Sequence, residues 1–156
     1  MSRRHSAPKR QTEPDPRYKS VTLAKFINKV MYDGKKSISQ RIVYDAFDLI
    51  AAKTNANPLE IFEKALENAM PLLEVKTRRI GGANYQVPVE IPASRRQAMA
   101  MTWLIDCSRA KGGNTMEAKL SAELVDCSNN QGGAIKKKED MHKQAEANKA
   151  FSHFKW

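Results

Sequence analysis

Acidic residues are scarce in this chain: 17 Asp and Glu stand against 27 Lys and Arg over 156 residues, a formal net charge of +10. A deficit of that size argues against a cationic partner and points to a polyanion, either nucleic acid or an anionic membrane surface. Long hydrophobic runs are missing too, and none approaches the length of a membrane span. The opening MSRRHSAPKR has no apolar segment behind its charges, so it does not read as a secretory signal. An organellar transit peptide stays open on the Arg and Ser content of this segment, although it is short and Pro14 and Pro16 break any amphipathic helix. Cysteine is limited to Cys107 and Cys127, which lie at no metal spacing and cannot alone build a disulfide framework. A reducing cytoplasm fits that usage. His142 and His153 are isolated and make no zinc pattern. There is no Ser/His/Asp set, phosphate-binding loop, dinucleotide fingerprint or pair of catalytic carboxylates. A non-enzyme with no cofactor and no metal is expected. Hydrophobic content is modest at 41%, yet the length still allows one domain with a real core.

Most of what is present has helical spacing. Ser20 is a plausible cap for a first helix lined by Leu23, Ile27, Val30 and Met31 and ended by Asp33-Gly34. A second, about 37–53, carries Ile38, Ile42, Ala46, Leu49 and Ile50 as its inward stripe. Asn57-Pro58 opens a third, with Leu59, Phe62, Leu66, Ala69 and Met70 facing in until Pro71. Pro92 opens a fourth to about Lys111, with Ala98, Met101, Leu104, Ile105 and Ser108 inside. Asn114 and Glu117 resemble a capping box for a fifth. A last, largely polar helix runs from about Ala134 to Phe151, with a thin stripe of Ile135, Met141 and Ala145. Phe151, Phe154 and Trp156 follow as an aromatic tail able to dock on a partner.

The exception is LLEVKTRRIGGANYQVPVEIP, residues 72–92. Leu73, Val75 and Thr77 alternate with Glu74, Lys76 and Arg78. After a Gly81-Gly82-Ala83-Asn84 turn, Tyr85, Val87, Val89 and Ile91 alternate with Gln86, Pro88 and Glu90. Period-two alternation about a Gly-rich turn predicts a β-hairpin. A lone hairpin is marginal in water, so one that projects from the domain needs a partner to hold it. The fold class is therefore mainly α: a single bundle of about six helices with a protruding hairpin between the third and fourth. Residues 1–17 form a disordered basic arm, 18–156 the helical domain, and 134–156 its C-terminal helix and tail.

Charge is unevenly spread. Residues 1–36 carry +7, residues 37–70 carry −2, residues 71–128 carry +2 and residues 129–156 carry +3. Arg3, Arg4, Lys9, Arg10 and Arg17 lead into Lys25, Lys29, Lys35 and Lys36. A flexible basic arm joined to a basic surface suits an irregular phosphate backbone. Arg78 and Arg79 near the hairpin tip can grip phosphates, and Tyr85 can stack on a base. Arg95 and Arg96 sit at the start of the fourth helix, where cations oppose the helix dipole unless an anion joins them. Lys136, Lys137 and Lys138 read more simply as a solvated face. A groove-reading DNA-binding protein is a second reading of the hairpin. An enzyme acting on nucleic acid is a third, disfavoured by the missing catalytic groups.

Several motifs carry a resemblance: PDPRY (14–18), LAKFINKVMYDGKKS (23–37), IVYDAF (42–47), VKTRRIGGANYQVPVEI (75–91), RRQA (95–98), GGNTMEAKLSAEL (112–124) and the tail KKKEDMHKQAEANKAFSHFKW (136–156). From about residue 14 onward the chain resembles the bacterial-type small-subunit ribosomal protein seven family. The resemblance implies a structural constituent of the small subunit that binds ribosomal RNA directly and nucleates head-domain assembly. It implies a place near the tRNA exit site and the messenger path, and contacts with small-subunit proteins nine and eleven. An organellar ribosome stays open with the transit peptide. The RNA-facing candidates it implies are Lys25, Lys29, Lys35, Lys36, Lys76, Arg78, Arg79, Arg95 and Arg96. Arg3, Arg4 and Arg10 join them on charge alone. Cys107 and Cys127 stand outside the pattern and suggest lineage-specific core packing.

Overall fold

Each predicted helix is present, and a local side-chain cap sets the start of three of them, at Ser20, Asn57 and Thr115. The structure, a computed structural model, describes residues 7, 8 and 10–154. Among these it contains six α-helices, one 3-10 helix and two strands. The order is α1 (Val21–Val30), α2 (Lys36–Thr54), α3 (Pro58–Ala69), β1 (Leu73–Ile80), β2 (Ala83–Glu90), α4 (Ala93–Ala110), α5 (Met116–Ser128), α6 (Gly133–Ala147) and the 3-10 helix η1 (Lys149–Phe154). The fold is mainly helical with the hairpin between α3 and α4, as the alternation predicts. No helix among the described residues is long and apolar enough to cross a membrane.

The chain divides into two compact units, residues 1–40 and 41–156. In the first, Asp15 is buried and its carboxylate accepts the backbone N–H groups of Arg17 (3.1 Å) and Tyr18 (3.0 Å). Lys19 takes a positive φ of 55° and its N–H returns to the Asp15 carbonyl at 2.8 Å. An Asx-type turn thus builds ordered structure from Asp15, inside the segment expected to be arm. Ser20 caps α1 by accepting the Leu23 N–H at 3.3 Å. Leu23, Phe26, Ile27 and Val30 are buried, which leaves Lys25 and Lys29 on the exposed side.

In the second unit α3, α4, α5 and α6 contact one another. Phe47 and Phe62, both fully buried, meet at 5.8 Å between ring centroids. The α2 stripe differs from the expected one: Ile38 is 45% and Leu49 37% exposed, whereas Val43, Ala46, Phe47 and Ile50 are fully buried. Those four sit at i, i+3, i+4 and i+7, a narrower and more regular helical face than the one assigned. In α4 the expected Ala98 is exposed and Ala100 is buried instead. The α5 cap is Thr115, which accepts from the Ala118 N–H, rather than Asn114.

The start of α6 has no side-chain cap of its own. Glu123 of α5 supplies one, since its Oε1 accepts the Ala134 N–H at 3.1 Å while its Oε2 pairs with Lys111 Nζ at 3.2 Å. Burial would push the Lys111 ammonium down, but Asp126 and Glu123 outweigh it and hold it above its ordinary value. Asn68 at the end of α3 donates to the last carbonyls of α5, Cys127 at 3.0 Å and Ser128 at 3.2 Å. Lys138 Nζ donates in turn to the Asn68 carbonyl. Lys138 thus satisfies a helix C-terminus, which the reading of Lys136–Lys138 as a solvated face did not contain. Cys127 is fully buried and its thiol is pushed up to about 12, by burial first and then by Glu123.

Candidate nucleic-acid interface

The hairpin register follows from a two-residue turn. Gly81 (φ 57°) and Gly82 (φ 92°) both occupy left-handed backbone, and Ile80 pairs with Ala83. Two successive positive φ values define the turn that matches strand twist, and glycine adopts them freely. Ala83 and Asn84, expected in the turn, therefore belong to β2. Arg78 lies directly opposite Tyr85, Lys76 opposite Val87 and Glu74 opposite Val89. Strand pleating puts these six on one face. Arg79 opposes Asn84 and lies on the other.

The hairpin does not stand alone. α6 contacts both strands and η1 contacts β2. The Leu72 N–H donates to His142 Nε2 at 2.9 Å, and Asn148 Nδ2 donates to Gln86 Oε1 at 3.4 Å. Tyr85 lies against two rings of η1, Phe151 at 5.3 Å and Phe154 at 5.2 Å between centroids. Tyr85, expected to stack on a base, and Phe151 and Phe154, expected to form a free docking tail, meet one another within the chain and remain partly exposed. Trp156 lies outside the described residues. The expected long final helix also ends early: Asn148 is the C-cap of α6, and its side chain folds back onto the Gln144 carbonyl at 2.8 Å. His142 is half-buried rather than a surface residue, and burial first, then Lys138, hold its imidazole below the ordinary value. The Leu72 N–H pointing at Nε2 assigns the neutral tautomer with its proton on Nδ1.

Alternation put Glu74 outside, yet it is 5% exposed. Arg95 approaches its Oε2 with Nε at 3.1 Å and Nη2 at 3.0 Å, and Lys76 Nζ lies 3.2 Å from Oε1. Burial pushes the Glu74 carboxyl up, but hydrogen bonds and charge from Arg95 and Lys76 overcome it and hold the group below its ordinary value. The anion that the Arg95-Arg96 placement called for is thus supplied partly by the chain itself. Arg96 Nε donates to the Ile91 carbonyl at 2.7 Å, fixing the corner between β2 and α4.

The candidate residues fall into separate sets. Lys25, Lys29, Lys35 and Lys36 are exposed in the unit 1–40, and Arg10 is exposed as well. Lys76, Arg79 and Arg95 are exposed and Arg78 and Arg96 half-buried in the unit 41–156. Arg3 and Arg4 lie outside the described residues. Among the described residues no cluster of three or more His, Cys, Asp or Glu could hold a metal ion. The groove between hairpin base and C-terminal helix, about 480 Å³ in volume, is lined by Leu72, Leu73, Pro88 and Ala145 together with Glu90, Glu146, His142, Lys149 and Ser152. Its two carboxylates outnumber its one lysine, which makes it a poor phosphate site. The cations that remain available are spread over open surface, an arrangement suited to a large polyanion rather than to a small anion in a pocket.

A helical protein that offers cations on a hairpin and on exposed helix faces has the make-up of a nucleic-acid-binding protein. Residues 2–149 match the family model described as ribosomal protein S7p/S5e. The chain is 64% identical to a small ribosomal subunit protein uS7 of Protochlamydia amoebophila, and the match covers the whole of both chains. Identity is 58% to the uS7 protein of Nitrobacter winogradskyi and 57% to that of Afipia carboxidovorans, again over the full length of each. The chain belongs to the ribosomal protein S7p/S5e family, structural and non-enzymatic constituents of the small ribosomal subunit.

Proposed function

We propose that this protein binds small-subunit ribosomal RNA directly, in the 3′ major domain, and nucleates assembly of the subunit head. In this reading it lies near the tRNA exit site and the messenger path, with the hairpin directed there, and touches small-subunit proteins nine and eleven. The single observation that carries the reading is a family match over residues 2–149, which takes in the hairpin and the α1–α2 lysines together. The exposure of Lys25, Lys29, Lys35, Lys36, Lys76 and Arg79 supports it. Phosphate contacts from these side chains position the protein, and the shape of a folded junction supplies selectivity, because the deep RNA major groove excludes side chains. Residues 1–17 serve as a basic arm and residues 18–156 as the RNA-binding body.

The test pairs Arg78→Ala with Arg79→Ala in the full chain and follows binding to a head-domain RNA fragment across a salt series. Affinity is expected to fall, and the log–log salt slope should flatten by about 0.7–0.9 for every phosphate that no longer meets an arginine. An affinity and slope equal to those of the wild type would remove the hairpin from the interface.

A further inference from the structure

The hairpin arms and the C-terminal 3-10 helix are far apart in sequence, yet they share an aromatic cluster. Tyr85 lies against both Phe151 and Phe154, whose own centroids are 6.5 Å apart with the rings near parallel at 14°, so the three rings form a triangle. Asn148 reaches Gln86, the next residue of β2, and His142 holds the Leu72 N–H at the foot of β1. Three attachments therefore run along the hairpin from base toward tip, all from the stretch 142–154. None of these groups is cationic while His142 is neutral, so none is suited to gripping a phosphate. Tyr85 is also the direct cross-strand partner of Arg78. In such a pair the Cβ atoms lie about 4.5–5.5 Å apart, so fixing one backbone fixes the other.

We propose that Phe151 and Phe154, acting through Tyr85, are positioning residues. The end of the chain braces the hairpin so that Arg78 and its neighbours are held in place before RNA arrives. A two-stranded hairpin without a third element is marginal in water. An unbraced hairpin must be ordered on binding, which weakens affinity while every phosphate interaction stays in place. The proposal rests on the RNA-binding reading above for its consequence, although the brace itself is a property of the free protein.

The experiment replaces Phe151 and Phe154 with Ala in the full chain, with Tyr85→Phe as the conservative control. Amide hydrogen exchange on the free protein should show protection across β1 and β2 reduced by about tenfold, as expected when two aromatic pairs are taken away. Protection in α3, α4 and α5 should stay as in the wild type. Affinity for the head-domain RNA fragment should fall by a similar factor with the salt slope unchanged, because every cation is still present. Tyr85→Phe should match the wild type in both measurements. Wild-type hairpin protection in the double Ala variant would overturn the brace. Reduced protection with wild-type affinity, or a flattened salt slope, would overturn the positioning role. Failure of the wild-type chain to bind the fragment would overturn the RNA reading, while hydrogen exchange would still decide the brace.

Discussion

Glu74 shows how a single side chain can defeat a pattern. Strict alternation assigns it to solvent, and the structure buries it because two cations come with it. Its ordinary value is 4.5, and its partners hold the folded group lower. A carboxyl lowered on folding adds stability that is complete above the unfolded value and is lost as pH falls through the folded one. Glu74→Gln is therefore expected to cost about 1.5–2 kcal/mol at neutral pH, the lower part of the range for hydrogen bonds to a charged group. Arg95 is 57% exposed, and solvent screening keeps the loss toward the lower end. Melting followed from pH 7 to pH 3 should show a constant gap between variant and wild type above pH 4.5 that closes below it. A gap independent of pH would mean that shape alone, and no charge, holds Glu74 in place. No local signal in the sequence separates this glutamate from Glu90, which is exposed at the same end of the ladder, opposite Leu73. The difference is made by Arg95, 21 residues away.

At the scale of elements, the helices and the hairpin were legible because each carries its own punctuation. Ser20, Asn57-Pro58 and the Gly81-Gly82 pair mark ends by local chemistry that needs no tertiary information. The errors fall where a neighbour decides. The α2 face turned to Val43 and Phe47 because Phe62 of α3 meets it there. The last helix stopped at Asn148 because η1 turns back to the hairpin. The tip separates two kinds of glycine demand. Gly81, at φ 57°, occupies the left-handed region that asparagine tolerates, whereas Gly82 sits at φ 92°. An added Cβ meets nothing within 4 Å at either position, so any cost is that of the backbone alone. Gly82→Ala is expected to cost about 1–2 kcal/mol, and Gly81→Asn close to nothing, since Asn-Gly is the favoured pair for this turn. The readout is amide exchange at Ile80 and Ala83, which should speed up in the first variant only. Equal exchange in both would contradict the turn geometry.

For the molecule as a whole, charge excess gave the partner class before any fold was known, and the motif order gave the family. Neither could say which cations remain available after folding. Lys76, Arg95 and Lys138 each acquire an internal partner, while Lys25, Lys35 and Lys36 stay exposed on their own unit. For Arg95 and Lys138 that sorting depends on pairing across 21 and 70 positions, and it left no trace in composition. The arm can be tested by removing residues 1–14, a cut that spares the Asp15 turn and deletes Arg3, Arg4, Lys9 and Arg10. Helicity of the free protein should be unchanged, while RNA affinity and salt slope should both fall. Loss of helicity would place the arm inside the folding unit. An unchanged salt slope would leave its four cations without a role in binding.

The bond from Leu72 to His142 spans 70 positions, and the cap on α6 comes from Glu123 rather than from α6 itself. During synthesis both strands of the hairpin leave the translating machinery long before residues 142–154, which contact them beyond the base that Arg95 and Arg96 hold. The final helix, lacking a start signal of its own, must wait for α5 to be in place. On the proposed bracing, the hairpin is held along its length only once the last dozen residues have emerged, and a prematurely released polypeptide would carry the arginines without the means to aim them.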